Sequence, residues 1–361
     1  MTRSEDDQRS LAGHLPADEA ELSDTDLIEQ FSRLRPDLQR IGGAAFRRQQ
    51  HDRNVERQRR AAMSPVERRR DDARKLVEGA VEADEHHFIH SVLALCAMPY
   101  RRPPEEQTDY VREFGRSSLV LQAGYLRDPH SGRMVKQGLP YGPKPRLLMV
   151  HLCSMALRNR SAEIEIDDSL SSFIRSLGFD VTGGERGTIR AFKEQLHRLA
   201  ATRMQIGLFR GEVSSTINTQ PFERIDLWTP QNPEQKMLWP TTVKLDQQFY
   251  ESLKRHALPV DIRVLKAFSQ SARQMDIVMW LGYRLPSLRE PLMIGWDKLQ
   301  EQYGVDVHLA RRFRKAFHDD WSRVVEVFGS LPVRLDDKGL LLYPADPHAL
   351  LLPRRRTRTK A

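Results

Sequence analysis

Apolar positions recur along this chain first at helical and then at alternating spacing, and the same order of spacings occurs twice. The first copy runs from about Tyr141 to Trp228 and the second from about Asp261 to Tyr343. In each copy a buried helix is followed by a short strand, a second short helix, a longer helix with a basic outer face, and a β-ribbon. The pattern therefore predicts two related modules that each combine helices with a small sheet.

Local helix and turn signals set the predicted limits of the first module. Pro145 is suited to a first helical turn, so a helix is predicted from there to about Asn159. Asp168 is predicted to cap a short helix that Gly178 ends. The other predicted elements are a strand over 163–166, a basic helix over 188–202, and two ribbon strands over 204–209 and 225–228 around a Ser/Thr/Asn-rich tip over 214–219.

The second module has a clearer ribbon. Asp261 is predicted to cap its first helix, and Gly304 is predicted to end a short helix. A basic helix is predicted over 309–328. Residues 336–339 form a turn between two apolar runs, which predicts a β-hairpin in which Gly339 supplies the positive φ.

The segment before the first module is predicted to add a helix and a small sheet. Residues 85–97 carry apolar side chains at helical spacing. Residues 116–124 resemble a strand, and a turn over 128–132 leads to a returning strand near 134–135.

Helix, strand, helix, basic helix and ribbon is the element order of a winged helix, which is a DNA-binding module. The predicted fold class is therefore α+β, with two tandem winged-helix domains and a largely disordered N-terminal region. The predicted division is a mostly disordered charged arm over 1–84, a first winged-helix domain with its N-terminal helix and strand extension over 85–240, a second winged-helix domain over 241–347, and a basic tail over 348–361.

Charge adds support for a polyanionic partner. Lys and Arg outnumber Asp and Glu by 57 to 49, and the sequence pI is about 9.6. Residues 1–30 contain nine acidic and two basic residues, whereas residues 31–76 contain fourteen basic and six acidic ones. Nucleic acid is the usual partner of such a balance, although solubility alone is an alternative explanation.

Two cysteines without metal-ligand spacing predict neither a zinc ribbon nor any other metal or cofactor site. No apolar run approaches the length of a membrane helix, and the acidic N-terminus is unlike a signal peptide. These features predict a cytoplasmic protein that does not contact a membrane.

The candidate DNA-contacting residues are polar side chains on the two basic helices and the segments around them. Arg and Lys suit guanine edges and phosphates, and Glu can accept from cytosine. For one such helix, an ordinary solvated face is an equal alternative; two in the same position favour DNA. The predicted set is Lys144, Arg146, Arg186, Thr188, Arg190, Lys193, Glu194, His197, Arg198, Arg311, Arg312, Arg314, Lys315 and His318, with Arg354, Arg355 and Arg356 of the tail.

Three features that suggest other chemistry are weaker. The Gly-rich run over 182–188 lacks the Lys-Ser or Lys-Thr of a phosphate-binding loop, so it is interpreted as the turn before the basic helix. His86 and His90 have metal-ligand spacing on a helix, but no third ligand is indicated. The carboxylate pairs at 167–168, 319–320 and 336–337 leave a metal-dependent nuclease open without favouring it. No catalytic residue is predicted.

Several motifs resemble plasmid replication initiators of the RepA type, which bind iterons through tandem winged helices. They span about Ser117 to Pro347, and their order is specific although none is catalytic. The motifs are Gly-Leu-Pro-Tyr-Gly-Pro-Lys-Pro-Arg-Leu at 138–147, Glu-Ile-Glu-Ile-Asp-Asp-Ser-Leu-Ser-Ser-Phe at 163–173, Thr-Gly-Gly-Glu-Arg-Gly-Thr-Ile at 182–189, Met-Asp-Ile-Val-Met-Trp-Leu-Gly-Tyr-Arg at 275–284, Trp-Asp-Lys-Leu-Gln-Glu-Gln-Tyr-Gly at 296–304 and Phe-Arg-Lys-Ala-Phe at 313–317.

The resemblance implies a non-enzymatic initiator that binds origin repeats, promotes origin opening and serves plasmid copy control. It also implies a bacterial protein that associates with plasmid or nucleoid DNA. It implies recruitment of a host replication initiator and replicative helicase, a homodimer in one functional state, and repression of its own promoter. The helices over 190–198 and 311–318 would enter successive major grooves about 10 bp apart, the first doing much of the base reading and the second binding more tightly. A transcriptional repressor without initiator activity remains the alternative, and a relaxase or nuclease a more distant one.

Overall fold

The computed structural model describes residues 86–128, 131–177, 187–210, 212–226, 242–307 and 309–346, together with Phe179, Leu350 and part of the stretch 32–71. The chain divides into two compact units, Met1–Asp72 and Ala73–Ala361. Within the described ranges, no helix combines the length and the apolar composition that a membrane crossing requires.

The described residues of the first unit include helix. Residues 57–62 are helical, and Ser64 and Glu67 form a reciprocal capping box. The Ser64 N–H donates to Glu67 Oε2 at 2.8 Å, and the Glu67 N–H donates to Ser64 Oγ at 3.2 Å. Such a pair satisfies two N–H groups at a helix start. The predicted disorder of the arm over 1–84 stays a prediction, since most of those residues lie outside the described ones.

The described part of the second unit begins with a strand where a helix is predicted. Residues 85–97 comprise β1 (His86–His90) and a short helix α1 (Ser91–Leu95). The continuous helix prediction is wrong because β1 pairs antiparallel with β11 (Ala257–Asp261), a partner about 170 residues away in sequence. Local periodicity cannot indicate such a pairing. The strand predicted over 116–124 is observed at Ser117–Gln122, and the returning strand near 134–135 is confirmed as β5 (Met134–Lys136). β5 pairs, however, with β4 (Tyr125–Arg127) and not with the strand at 117–122.

The first module contains the predicted helices and a three-stranded sheet. Its helices are α2 (Pro143–Asn159), α3 (Asp167–Ser176) and α4 (Thr188–Ala201). Its strands β6 (Glu163–Glu165), β9 (Phe222–Asp226) and β10 (Thr242–Leu245) pair in the order β6–β10–β9. The N-cap of α3 is Ile166, so the predicted cap at Asp168 is wrong by two residues. The predicted stop at Gly178 lies outside the described residues.

The predicted ribbon of this module is only partly correct. β7 (Arg203–Arg210) pairs with β8 (Val213–Thr219), and β8 is the segment predicted as a polar tip. β7 also pairs with β3 (Ser117–Gln122), which pairs with β2 (Asp109–Phe114), so the four strands form one sheet. β8 is an edge strand, and most of its described side chains are exposed. Its Ser, Thr and Asn residues therefore resemble a turn, although its partner β7 directly precedes it.

The second module has the same sheet order with a shorter ribbon. It follows α5 (Gln247–His256) and β11. Its helices are α6 (Ile262–Ala267), α7 (Ala272–Arg284), α8 (Trp296–Tyr303) and α9 (Ala310–Phe328). Its strands are β12 (Leu292–Gly295), β13 (Val333–Asp336) and β14 (Gly339–Leu342). The sheet order is β12–β14–β13, so in both modules the first strand pairs with the last. The predicted Asp261 cap is confirmed, because its side chain accepts from the Arg263 N–H at 2.8 Å.

The two modules belong to one hydrophobic core. Buried side chains of α2, α4, α7 and α9 and of the strands of both sheets form one continuous cluster. β10 completes the sheet of the first module, so we place the end of that module after Leu245 rather than at residue 240.

Gly339 has the positive φ predicted for the second ribbon. Its φ is +140°, and a Cβ there would lie 2.1 Å from the Ile294 carbonyl oxygen. Gly339→Ser should therefore lower the free energy of unfolding by about 1–3 kcal/mol in urea titrations. Gly295→Ser is the matched control, since Gly295 faces Gly339 in the strand pair. A Cβ on Gly295 would have its nearest contact, the Lys338 carbonyl oxygen, at 4.0 Å, and serine is a good N-cap for α8. Equal losses in both variants would contradict this explanation.

Two buried histidines should make stability depend on pH. The His90 Nδ1 accepts the Val92 N–H at 3.1 Å, so its Nε2 donates to Ser252 Oγ at 2.9 Å. The His151 ring stacks on Phe173. Burial lowers the pKa of both His90 and His151 to about 3.

Below about pH 6.5 the unfolded chain binds protons that these folded histidines do not, so stability falls as the pH drops toward 3. His151→Phe keeps an aromatic ring and removes one such group. Urea titrations at pH 7 and pH 5 should show that this variant loses about 2 kcal/mol less stability than the parent. An unchanged pH dependence would mean that the pKa of His151 in the folded protein is close to its value in the unfolded chain.

Candidate nucleic-acid interface

Helix α9 has a fully buried face and an open basic face. Phe313, Phe317, Trp321 and Val324 recur at helical spacing and are buried against the second module. On the same side Asp320 accepts hydrogen bonds from Arg273 and Gln274 of α7. The buried carboxylate therefore fixes the position of α9 on α7, which sets which side chains point outward.

The outward side chains of the first half of α9 are basic. Arg311, Arg312, Arg314, Lys315 and His318 are all exposed, as the amphipathic pattern predicts. Among the described residues none of these five forms a salt bridge. The four Arg and Lys charges are therefore available to a polyanion in solution.

Trp296 connects the basic face of α9 to the ribbon. Its indole N–H donates to the Asp337 carbonyl oxygen at 2.9 Å, which holds α8 against the β13–β14 turn. The Arg314 guanidinium lies 5.4 Å from the Trp296 ring centre, and the His318 ring centre lies 5.4 Å from it. The same indole thus orients two of these five basic side chains.

The ribbon adds cations that the sequence analysis did not include. Arg334 on β13 and Lys338 in the turn are exposed. Asp336 accepts the Lys338 N–H at 2.9 Å, and this hydrogen bond lowers the pKa of the Asp336 carboxyl. Lys338 could have been included from the sequence, because a lysine in a predicted hairpin turn that follows a basic helix is expected to be an exposed cation.

Helix α4 is less open than α9. Arg190 is exposed, but Lys193 and His197 are half-buried and Arg198 is 8% exposed. Burial lowers the pKa of Lys193 and of His197, the latter also through the nearby charge of Lys193 and against the opposing effect of Asp128. Thr188, at the start of the helix, is half-buried as well.

The predicted outward orientation of Arg198 is wrong. Its Nη1 donates to the Leu139 carbonyl oxygen at 2.9 Å, its Nη2 lies 3.0 Å from Glu194 Oε1, and its guanidinium lies 5.1 Å from the Tyr141 ring centre. A Cβ on Gly138 would approach Arg198 Nη1 to 2.3 Å, so the chain passes directly over this side chain. Arg198 therefore holds residues 138–141 on α4, and Glu194 serves as its partner.

The prediction that Arg146 contacts DNA is also wrong. Arg146 is 1% exposed and forms a two-pronged salt bridge with Asp276 of α7, with Nε–Oδ1 and Nη2–Oδ2 distances of 2.7 Å each. Its guanidinium also donates to the carbonyl oxygens of Met98, Pro99 and Gly142. A guanidinium with these partners cannot reach a nucleic acid, and it connects the two modules instead.

The remaining candidates differ in how far the structure describes them. Lys144 is half-buried, with Nζ 5.9 Å from the Phe192 ring centre. Arg186 and the tail residues Arg354, Arg355 and Arg356 lie outside the described residues.

The alternative metal and nuclease sites receive no support from the described residues. His90 lies on a strand and is hydrogen-bonded in the core, so the helical spacing assumed for His86 and His90 is wrong. Asp320 is used in the contact with α7. Within the described ranges there is no group of three or more His, Cys, Asp or Glu side chains arranged to hold a metal ion.

Comparison with known proteins gives a family match over part of the chain. Two structures of RctB domains 2 and 3, one of selenomethionine derivatives and one of residues 155–483, are 10% and 12% identical to this chain. They cover 69% and 70% of it and 88% and 94% of their own chains, each with a TM-score of 0.45. None of the curated proteins compared matches the chain. Residues 139–298 match the family model described as plasmid-encoded RepA protein, which confirms the predicted RepA-type resemblance from just before α2 into α8.

Proposed function

We propose that the protein is a plasmid replication initiator that binds repeated sequences in double-stranded origin DNA. The observation that carries the proposal is the open basic face of α9, with Arg334 and Lys338 of the ribbon on the same module. A helix presented in this way can enter a major groove, while ribbon cations contact phosphates. The match to plasmid-encoded RepA protein supports replication as the process served.

The two modules would act as one rigid body on the duplex. The Arg146–Asp276 salt bridge joins α2 to α7, and Arg112 of β2 donates to the carbonyl oxygens of Glu301 and Gln302 in α8. Rigid attachment lowers the entropic cost of engaging two sites together. We propose that the modules contact successive major grooves about 10 bp apart.

The proposed division of labour between the modules differs from the sequence-based hypothesis. Of the predicted Arg, Lys and His side chains of α4 only Arg190 is exposed, whereas Arg311, Arg312, Arg314, Lys315 and His318 of α9 are all exposed. We therefore assign most of the base reading to the second module. Dimerisation, repression of its own promoter, and recruitment of a host initiator and helicase are further parts of the proposal and rest on the RepA resemblance.

A plasmid replication assay tests the proposed function. A fragment carrying the DNA that flanks the gene is placed on a plasmid without another origin, and cells are transformed with and without the protein supplied in trans. Replication that requires the protein is the expected result. Binding without replication would favour a transcriptional repressor with the same modules.

A nicking assay tests the enzymatic alternative. Supercoiled origin DNA incubated with the protein and Mg²⁺ should remain supercoiled. Site-specific nicking would identify a relaxase or nuclease and would overturn the proposed function.

A further inference from the structure

The β4–β5 hairpin is a basic ribbon that lies beside α4. Tyr125 pairs with Lys136, and Arg127 pairs with Met134, so these four side chains share one face of the ribbon. All four are exposed, and Tyr125 and Met134 are 59% and 62% exposed. Arg127 donates to the Gly132 carbonyl oxygen at 3.2 Å within the hairpin, while the exposure of Tyr125, Met134 and Lys136 leaves these side chains open to a partner.

The hairpin lies against α4 near His197. β4 packs against α4, and the Asp128 charge acts on His197. A duplex that approaches this side of α4 would therefore meet the hairpin.

The charge balance of the hairpin favours a polyanion. Arg127, Arg133 and Lys136 are exposed cations. The acidic side chain between them, Asp128, accepts hydrogen bonds from the Ser131 N–H and hydroxyl within the turn at 2.6 and 2.7 Å. A two-stranded ribbon fits a DNA groove, and apolar side chains on it can contact sugars or wedge against bases.

We propose that the β4–β5 hairpin is a DNA-contacting element of the first module, with Arg133 and Lys136 on phosphates and Tyr125 and Met134 against the groove. The proposal rests on the proposed function, because it assumes that the protein binds duplex DNA. It adds a contact that neither the two basic helices nor the second ribbon provides.

The salt dependence of binding tests this proposal. Each phosphate contact contributes about 0.9 to the slope of log K against log salt. When the salt concentration is raised from 50 to 200 mM, the affinity of the full-length variant Arg133→Ala/Lys136→Ala should therefore fall by a smaller factor than that of the parent. The two factors should differ about tenfold. The change should be the same on origin and random duplexes, since phosphate contacts carry no sequence information.

The matched control is Arg101→Ala/Arg255→Ala, which removes the same charge from exposed positions outside the hairpin. It should keep the parent slope. If the parent binds duplex DNA and the hairpin variant has the same slope as this control, the hairpin proposal is wrong and the proposed function stands. If the parent does not bind duplex DNA, both fail.

Directed cleavage gives an independent readout. Cys96 and Cys153 are buried, and burial raises the pKa of each thiol to about 12, so neither should react with an iron-chelate reagent. Met134→Cys can then be labelled alone, and cuts in the bound DNA next to the contacts of α9 are expected. The proposal is overturned if no cuts appear and the hairpin variant differs from the parent in oligomeric state, as measured by sedimentation. That result would identify the hairpin as an interface between copies of the protein.

Discussion

Arg146→Ala is expected to lower the free energy of unfolding by about 3–5 kcal/mol, because it leaves the Asp276 carboxylate buried without its partner. The same change removes the donors to the carbonyl oxygens of Met98 and Gly142. Urea titration followed by circular dichroism measures the loss. DNA affinity of the remaining folded protein should stay close to that of the parent, because Arg146 does not reach the surface.

A double variant separates the salt bridge from general damage to the core. Arg146→Met combined with Asp276→Leu removes both charges and keeps apolar volume, and such replacements are often neutral or stabilising. Recovery of most of the lost stability is expected. A loss below about 1 kcal/mol in Arg146→Ala, with weakened DNA binding, would return Arg146 to the DNA-contacting set.

Arg312→Ala is expected to weaken binding to origin repeats by about 1–3 kcal/mol and to relax the preference for one base pair. Arg312 lies near the N-terminus of α9, where residues of a recognition helix contact base edges. Fluorescence anisotropy with origin and point-substituted duplexes measures both effects. Arg190→Ala should have a smaller effect, since less of α4 is exposed.

Arg323→Ala is the matched control on the same helix. Arg323 is exposed and lies eleven residues beyond Arg312, which places it on the same face about three turns away. Its loss should leave sequence preference unchanged. Equal effects of both variants on specific and random DNA would show that α9 contacts only the backbone.

Most of the helices could be predicted because their signals are local. The apolar stripe through Phe313 and Phe317 predicts α9, and the Asp261 cap and the Gly339 turn are correct in the structure. Two of the strands that were missed show different reasons. β1 depends on a partner about 170 residues away, and spacing within a few residues contains no information about that partner. β8 pairs with β7, which directly precedes it, but its mostly exposed Ser, Thr and Asn side chains have the composition of a turn.

The errors in the candidate site have a similar origin. Arg146 follows a proline at a helix start and looks like a surface cation, but its partner Asp276 is 130 residues away. Arg198 has the spacing of an outer-face residue of α4, but residues 138–141 cover it. The absence of a side chain at Gly138 leaves room for the Arg198 guanidinium, since a Cβ there would lie 2.3 Å from Nη1. In both cases tertiary packing decides the environment of the guanidinium, and a helical pattern alone does not reveal what covers it.

Hydroxyl-radical footprinting on the DNA that flanks the gene tests the central proposal most directly. The full-length protein should protect a set of similar sites, each with two protected segments whose centres lie about 10 bp apart. Arg312→Ala should lose the protection assigned to the second module. Protection that is the same on unrelated DNA, or the absence of any protected repeat, would contradict the proposal that this protein is a sequence-specific origin binder.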